Sequence, residues 1–255
     1  MIMARRRAVD KTQTVDVTGR LPFLYNSLVP ITSERHKDLR IKTDREFGIA
    51  ANANAIPITC DEFAQVVRHY PIVFTTGAKP MPMALVGLRK GVNDQIDAQG
   101  KWATAAYIPA YLRRYPFLLV KEAEDAPRQI LCADMSSTLF TDTAEGSTAL
   151  LNDDGSQSEH LTGILDFATR YETSAQRTRQ VMAEVAKLDL LQTTTVNLTK
   201  QDKTARIEGF QVISEEKVRD LDDVTLAGLA RRGLMTLFAA HHMSMANFSN
   251  MAAVA

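Results

Sequence analysis

Over one long stretch the inward-type residues keep to helical spacing. Leu161, Ile164, Leu165, Ala168, Tyr171, Ala175, Thr178, Val181, Met182, Val185 and Leu188 fall on a single stripe with a period near 3.6. Ser156-Gln157-Ser158-Glu159 just upstream has the form of a capping box, so the pattern predicts a helix from about residue 157 to 188, long enough to back a whole sheet. A second stripe runs through Leu229, Leu234, Leu237, Phe238, His241, Met245 and Phe248, with Met251 to Ala255 expected to fray beyond it. Short apolar runs bounded by Pro, Gly and Asn read as strands: Ile72–Thr75, Met83–Leu88, Phe117–Val120 and Gln129–Ala133. Thr193–Leu198 and Arg206–Ile213 form a hairpin pattern around Gln201-Asp202-Lys203. Leu21–Pro30 reads as extended, Phe47–Ile58 as turns with a strand, and Glu62–His69 as a short helix with Thr59 or Asp61 as its N-cap. The fold class is α+β: a mixed or antiparallel sheet backed by one long amphipathic helix. Residues 21–255 are expected to form a single domain behind a disordered tail of residues 1–20.

Ala105–Val120, AAYIPAYLRRYPFLLV, joins a short helix to a strand through a Tyr-Pro corner. Pro109 suits the first turn of that helix, and Pro116 pushes Tyr115 out of the α region, so the helix stops there. Tyr111 and Tyr115 stand four apart and share a helix face. Arg113 and Arg114 put positive charge at the negative end of the helix dipole. Cys60–Phe74, CDEFAQVVRHYPIVF, takes the same course through Tyr70-Pro71, 45 residues earlier. The shared order, helix, Tyr-Pro, strand, loop, strand, fits either an internal duplication or a packing solution reached twice.

Composition narrows the class. The chain has 255 residues, 45% hydrophobic and 24% charged, with 30 basic and 30 acidic side chains and a pI near 7.0. That balance argues against a dedicated nucleic-acid or anionic-membrane binder. Lys121–Glu159 carries nine carboxylates against two bases and reads as solvated loop surface. Cys60 and Cys132 lack metal-ligand spacing and are expected as reduced core thiols. Arg5-Arg6-Arg7 is not followed by an apolar stretch, so no export signal is read there and a cytoplasmic location is expected. No run of eighteen apolar residues suggests a membrane span.

The motifs that announce chemistry are missing: there is no Walker loop, no Gly-x-Gly-x-x-Gly, no His-Glu-x-x-His and no Gly-x-Ser-x-Gly. Asn152-Asp153-Asp154-Gly155 is read as a plain turn, because a calcium loop would need acids where Leu150 and Leu161 stand. His241 lies on the apolar stripe and reads as a hydrogen-bonded core histidine. His242, about 100° away on the helix, cannot easily join it on one ion. His36, inside Glu34-Arg35-His36, is expected to be more exposed and could act as a base, or serve as a surface or capping residue. For Arg113, Arg114 and Arg68, a bidentate grip on a carboxylate stands beside the plainer role of helix-end charge.

Ser33-Glu34-Arg35-His36-x-x-Leu39-Arg40, Tyr70-Pro71-Ile72-Val73-Phe74, Ala84-Leu85-Val86-Gly87-Leu88-Arg89 and the block from Tyr107 to Phe117 together resemble the SapC family of bacterial surface-layer-associated proteins. The likeness continues through Leu150–Gly155, Phe167–Arg179 and Leu188-Asp189-Leu190-Leu191 to Ala240-His241 and Ser244–Phe248, covering about residues 24 to 250. The chain departs in its arginine-bearing N-terminus and at His242-Met243. The resemblance implies a link to the surface layer or cell envelope, often beside oxygenases or flavin-dependent halogenases, and supplies no catalytic residues and no cofactor. The expected function is therefore a non-catalytic accessory protein that binds a peptide or protein partner of the envelope machinery. Its binding residues would be Arg113, Arg114, Tyr111 and Tyr115, with Arg35 and His36, types enriched at binding hot spots. The alternative is a metal-dependent enzyme, or a subunit of an oxygenase- or halogenase-type peptide-modifying system, with His36 and His241 as ligands.

Overall fold

The computed structural model describes residues 21–121, 129–200 and 203–254. In chain order the elements are β1 (Leu28–Pro30), α1 (Ser33–His36), β2 (Arg40–Lys42), β3 (Ala55–Pro57), α2 (Phe63–Val66), β4 (Ile72–Thr75), β5 (Pro82–Leu85) and α3 (Ala110–Arg114). They continue with β6 (Phe117–Lys121), β7 (Gln129–Asp134), β8 (Phe140–Thr141), β9 (Ser147–Ala149), the long α4 (Glu159–Lys187) and the ribbon β10 (Leu191–Lys200) and β11 (Lys203–Ile213). Four helices close the chain: α5 (Glu215–Arg219), α6 (Asp223–Arg231), α7 (Leu234–Ser244) and α8 (Asn247–Val254). Every strand pairing is antiparallel, and the class is α+β with one long helix packed against sheet, as the periodicity predicts.

The described residues separate into two compact units, one drawn from residues 21–44 and 114–168, the other from residues 45–113 and 169–254; the tail expected over residues 1–20 lies outside the described residues. The first holds a sheet of order β1-β7-β6 and another of order β8-β2-β9. The second holds a five-stranded sheet, β10-β11-β4-β5-β3. One face of it is filled by Val73, Leu85, Ile207, Phe210 and Val212 packed with Phe248 of α8. Ring stacking of Phe210 on Phe248 at 6.0 Å fixes α8 there.

Several local expectations are corrected. The cap of α4 is Ser158, whose Oγ accepts the Leu161 N–H at 3.2 Å, while the Ser156 hydroxyl donates to Asp154 at 2.6 Å. The helix ends in a Schellman turn, with Asp189 at φ 52° and the Leu190 N–H on the Val185 carbonyl. The stripe from Leu229 to Phe248 is not one helix, because Gly233 at φ 79° closes α6 before α7 starts. Met251 is only 8% exposed on α8, so the expected fraying does not hold through Val254. The helix expected over Glu62–His69 is a 3₁₀ turn, Cys60–Glu62, followed by the four residues of α2. Between Leu21 and Pro30 only β1 is strand, after a turn with Leu24 at φ 71°. The acidic stretch is not all solvated, since Asp134 is fully buried and accepts from the backbone N–H groups of Asn26, Ser27 and Ser136. The ribbon is longer than its hydrophobic pattern, and Gly209 at φ 89° supplies the extra residue of a bulge opposite Thr195. The Gln201-Asp202 turn lies outside the described residues.

Candidate functional site

After Pro71 and Pro116 the chain leaves as β4 and β6, each the first strand of an antiparallel hairpin. Both tyrosines turn inward. Tyr70 donates to the Tyr107 carbonyl at 2.9 Å and accepts from the Trp102 indole at 3.1 Å. Tyr115 is 5% exposed, packs edge-on against Tyr25 at 5.3 Å, and has its phenol pKa raised by burial beside Ser137 and Asp134.

The other predicted binding residues divide between the units. Tyr111 is 6% exposed and meets Tyr171 edge-on at 6.4 Å. Arg114 is 8% exposed, with its guanidinium 5.6 Å from the centre of the Tyr25 ring. Arg113 is exposed, lies over the Tyr107 ring at 5.4 Å, and donates to the Ile108 carbonyl and the Tyr107 hydroxyl, each at 3.0 Å. Of the four corner residues, therefore, one has an exposed side chain. Arg35 is exposed on α1. His36, expected to be exposed, is instead buried: its Nδ1 accepts the Thr32 N–H at 3.1 Å, so the ring folds back to cap its own turn, and burial lowers its pKa.

His241 is the core histidine that its stripe predicts. Its Nδ1–H donates to the Ile72 carbonyl at 2.7 Å, and its Nε2 accepts the Ile213 N–H at 3.1 Å. Burial lowers its pKa to about 4. Both ring nitrogens are thus spent on two strands of one sheet, and His36 belongs to the other unit. Among the described residues no group of three or more His, Cys, Asp and Glu side chains is placed to hold a metal ion.

Sequence reasoning missed Glu62. This buried carboxylate accepts the Thr59 N–H at 2.8 Å, the Thr59 hydroxyl at 3.0 Å, the Ala110 N–H at 2.7 Å and the Tyr107 hydroxyl at 3.1 Å. It ties the start of α2 to the start of α3. With burial the larger cause, it pushes the Tyr107 phenol up to about 12. The Thr-x-x-Glu spacing of Thr59 and Glu62 is the signal that could have found it.

A more open feature lies along the ribbon. β10 is the outer strand of the five-stranded sheet, and among the described residues no strand pairs with its far edge. Beside it runs a groove of about 340 Å³ lined by Gln192, Thr194 and Val196 of β10, by Glu215 and Glu216 at the start of α5, and by His242 and Met245. Gln192, Thr194 and Val196 alternate along the strand, so they share one face. Glu215 and Glu216 are exposed. His242 donates from Nε2 to the Ile213 carbonyl at 2.9 Å and turns Nδ1 toward Glu215 at 3.6 Å. The Ser214 hydroxyl caps α5 by accepting the Lys217 N–H. The groove is thus walled on one side by alternate side chains of β10 and carries two exposed carboxylates in its lining. Another hollow, about 600 Å³ between α4 and α6, has its Arg232 clamped on Glu184 by bonds of 2.7 and 2.6 Å.

These features define an α+β protein built on antiparallel hairpins, with an open strand edge beside an acidic groove. The chain belongs to the SapC family, whose model matches residues 31–251. No curated protein and no solved structure matches it.

Proposed function

We propose that this SapC-family chain is a non-catalytic accessory protein that holds an extended, basic segment of a peptide or protein partner along β10. The observation that carries the reading is the ten-residue edge strand with a side-chain groove beneath it. An extended peptide gains affinity from main-chain bonds to such an edge and specificity from the pockets that receive alternate side chains. Glu215 and Glu216 supply the preference for Lys or Arg. The resemblance noted above supports a partner in the envelope machinery, met on the cytoplasmic side. Arg113 and Arg35 are the exposed members of the predicted set, and neither is assigned a contact with this segment.

A random-peptide display library selected on the immobilised full chain tests this. The expected result is enrichment of β-branched sequences carrying Lys or Arg, with the charge preference abolished or reversed for E215K/E216K. Both glutamates are exposed, and the circular dichroism of the variant checks that its fold is kept. Absence of enrichment, or identical sequences from both proteins, would overturn the proposal.

A further inference from the structure

The ten residues of β10 are not equivalent to a partner. Antiparallel bonding alternates along a strand, so only every other residue turns its N–H and C=O toward the open side. The Ser214 N–H bonds to the Leu190 carbonyl at 2.9 Å, which sets the backbone of Leu190 toward the β11 side. Leu191 pairs with Ile213, whose own N–H and C=O are taken by His241 and His242. The backbone groups of Leu191 therefore point away from β11, and those of Thr193 do so two residues later.

At the first of these outward positions the edge is already occupied. Lys217, in the middle of α5, donates from Nζ to the Leu191 carbonyl at 3.1 Å and to the Asp189 carboxylate at 2.8 Å. Lysine is a common guard of strand edges against unwanted pairing, and here it comes from a neighbouring helix to cover one carbonyl. A segment that paired with Leu191 would break this charge-assisted bond and bring its own Lys or Arg against an ammonium. Thr193 and Thr195, further along the same edge, are exposed.

We infer that Lys217 is a stop that sets the register of the docked segment, so that main-chain pairing begins at Thr193 and the basic residue of the segment lies toward Glu215 and Glu216 rather than beside Leu191. This rests on the peptide-binding role proposed above for β10. Lys217 is a positioning residue for that role. Outward groups recur every two residues, so without the stop the pairing extends by two positions, to Leu191. A slip of one residue is not open to the segment, because it would turn every side chain to the opposite face.

Residue-resolved amide exchange on the full chain, with and without the Lys-containing peptide enriched by selection, reads the boundary. In the wild type the peptide is expected to slow Thr193 and Thr195 while Leu191 keeps its peptide-free rate. In K217A the boundary should move by two residues and Leu191 should slow as well. K217R keeps a charged donor and should restore the wild-type boundary. A β10 strand unchanged by saturating peptide would defeat the peptide-binding role and the stop with it. Slowing that reaches Leu191 in the wild type, or a boundary that stays at Thr193 in a folded K217A, would overturn the stop alone and leave the peptide-binding role standing.

Discussion

His241 shows how a single side chain can set the pH response of the fold. It joins β4 to the end of β11 by donating from Nδ1 and accepting at Nε2, which requires the neutral ring. Burial holds its pKa near 4, against 6.5 in an unfolded chain. Above pH 6.5 both states are neutral and the full stability is present. As pH falls below 6.5 the unfolded chain takes up a proton that the folded chain refuses, so stability drains until about pH 4. The loss reaches about 3 kcal/mol. Urea unfolding of wild type and H241N across this window should show the wild type losing stability faster than the variant on acidification; parallel curves would contradict the assignment. His36, also lowered by burial, adds to the slope of both proteins. His241 was legible in the sequence because it interrupts an apolar stripe. The corner residues were not, because Tyr and Arg beside proline serve equally as a binding patch or as a buried turn. Which of the two they form depends on Tyr25, Asp134 and Tyr171, far away in the chain.

At the scale of elements, helix limits follow from backbone geometry that the hydrophobic stripe does not encode. The inward face of α4 was visible, but its stop is Asp189 held at φ 52°, a conformation in which a Cβ is strained and glycine is at ease. Asp189 also pairs with Lys217 at 2.8 Å, though its side chain is 87% exposed, and such a pair contributes little. D189G is therefore expected to raise stability by about 0.5–1 kcal/mol, read as a higher thermal midpoint; a lower midpoint would mean that the ion pair outweighs the strain. Gly233 plays the corresponding part between α6 and α7, and there the sequence already carries the favoured residue. The stripe from Leu229 to Phe248 runs straight through this break because the helices on either side of it both bury apolar residues, Leu229 on α6 and Leu234 and Phe238 on α7. The common register of β1-β7-β6 and β3-β5-β4, in which Phe117↔Ala133 answers Ile72↔Ala84 and Pro30↔Cys132 answers Pro57↔Met83, was by contrast partly legible from the Tyr-Pro echo. A second echo, Val29-Pro30-Ile31-Thr32 against Ile56-Pro57-Ile58-Thr59, marks β1 and β3.

For the whole molecule, what matters is which strand edges are closed and which are open. That property arises from long-range pairing and has no local signature, so the β10 edge could not be read from the chain: it is an ordinary threonine-rich run until the sheet order is known. The strands of the five-stranded sheet are bound together by His241, Ser244 and Phe248 from the C-terminal helices, which leaves β10 as its long accessible margin. The central claim is that this margin receives an extended basic segment. Backbone amide exchange of the full chain, with and without a Lys-containing peptide enriched by selection, tests it most directly. The account predicts slowed exchange concentrated in Leu191–Lys200. Slowing confined to other segments, with β10 unchanged by saturating peptide, would contradict it.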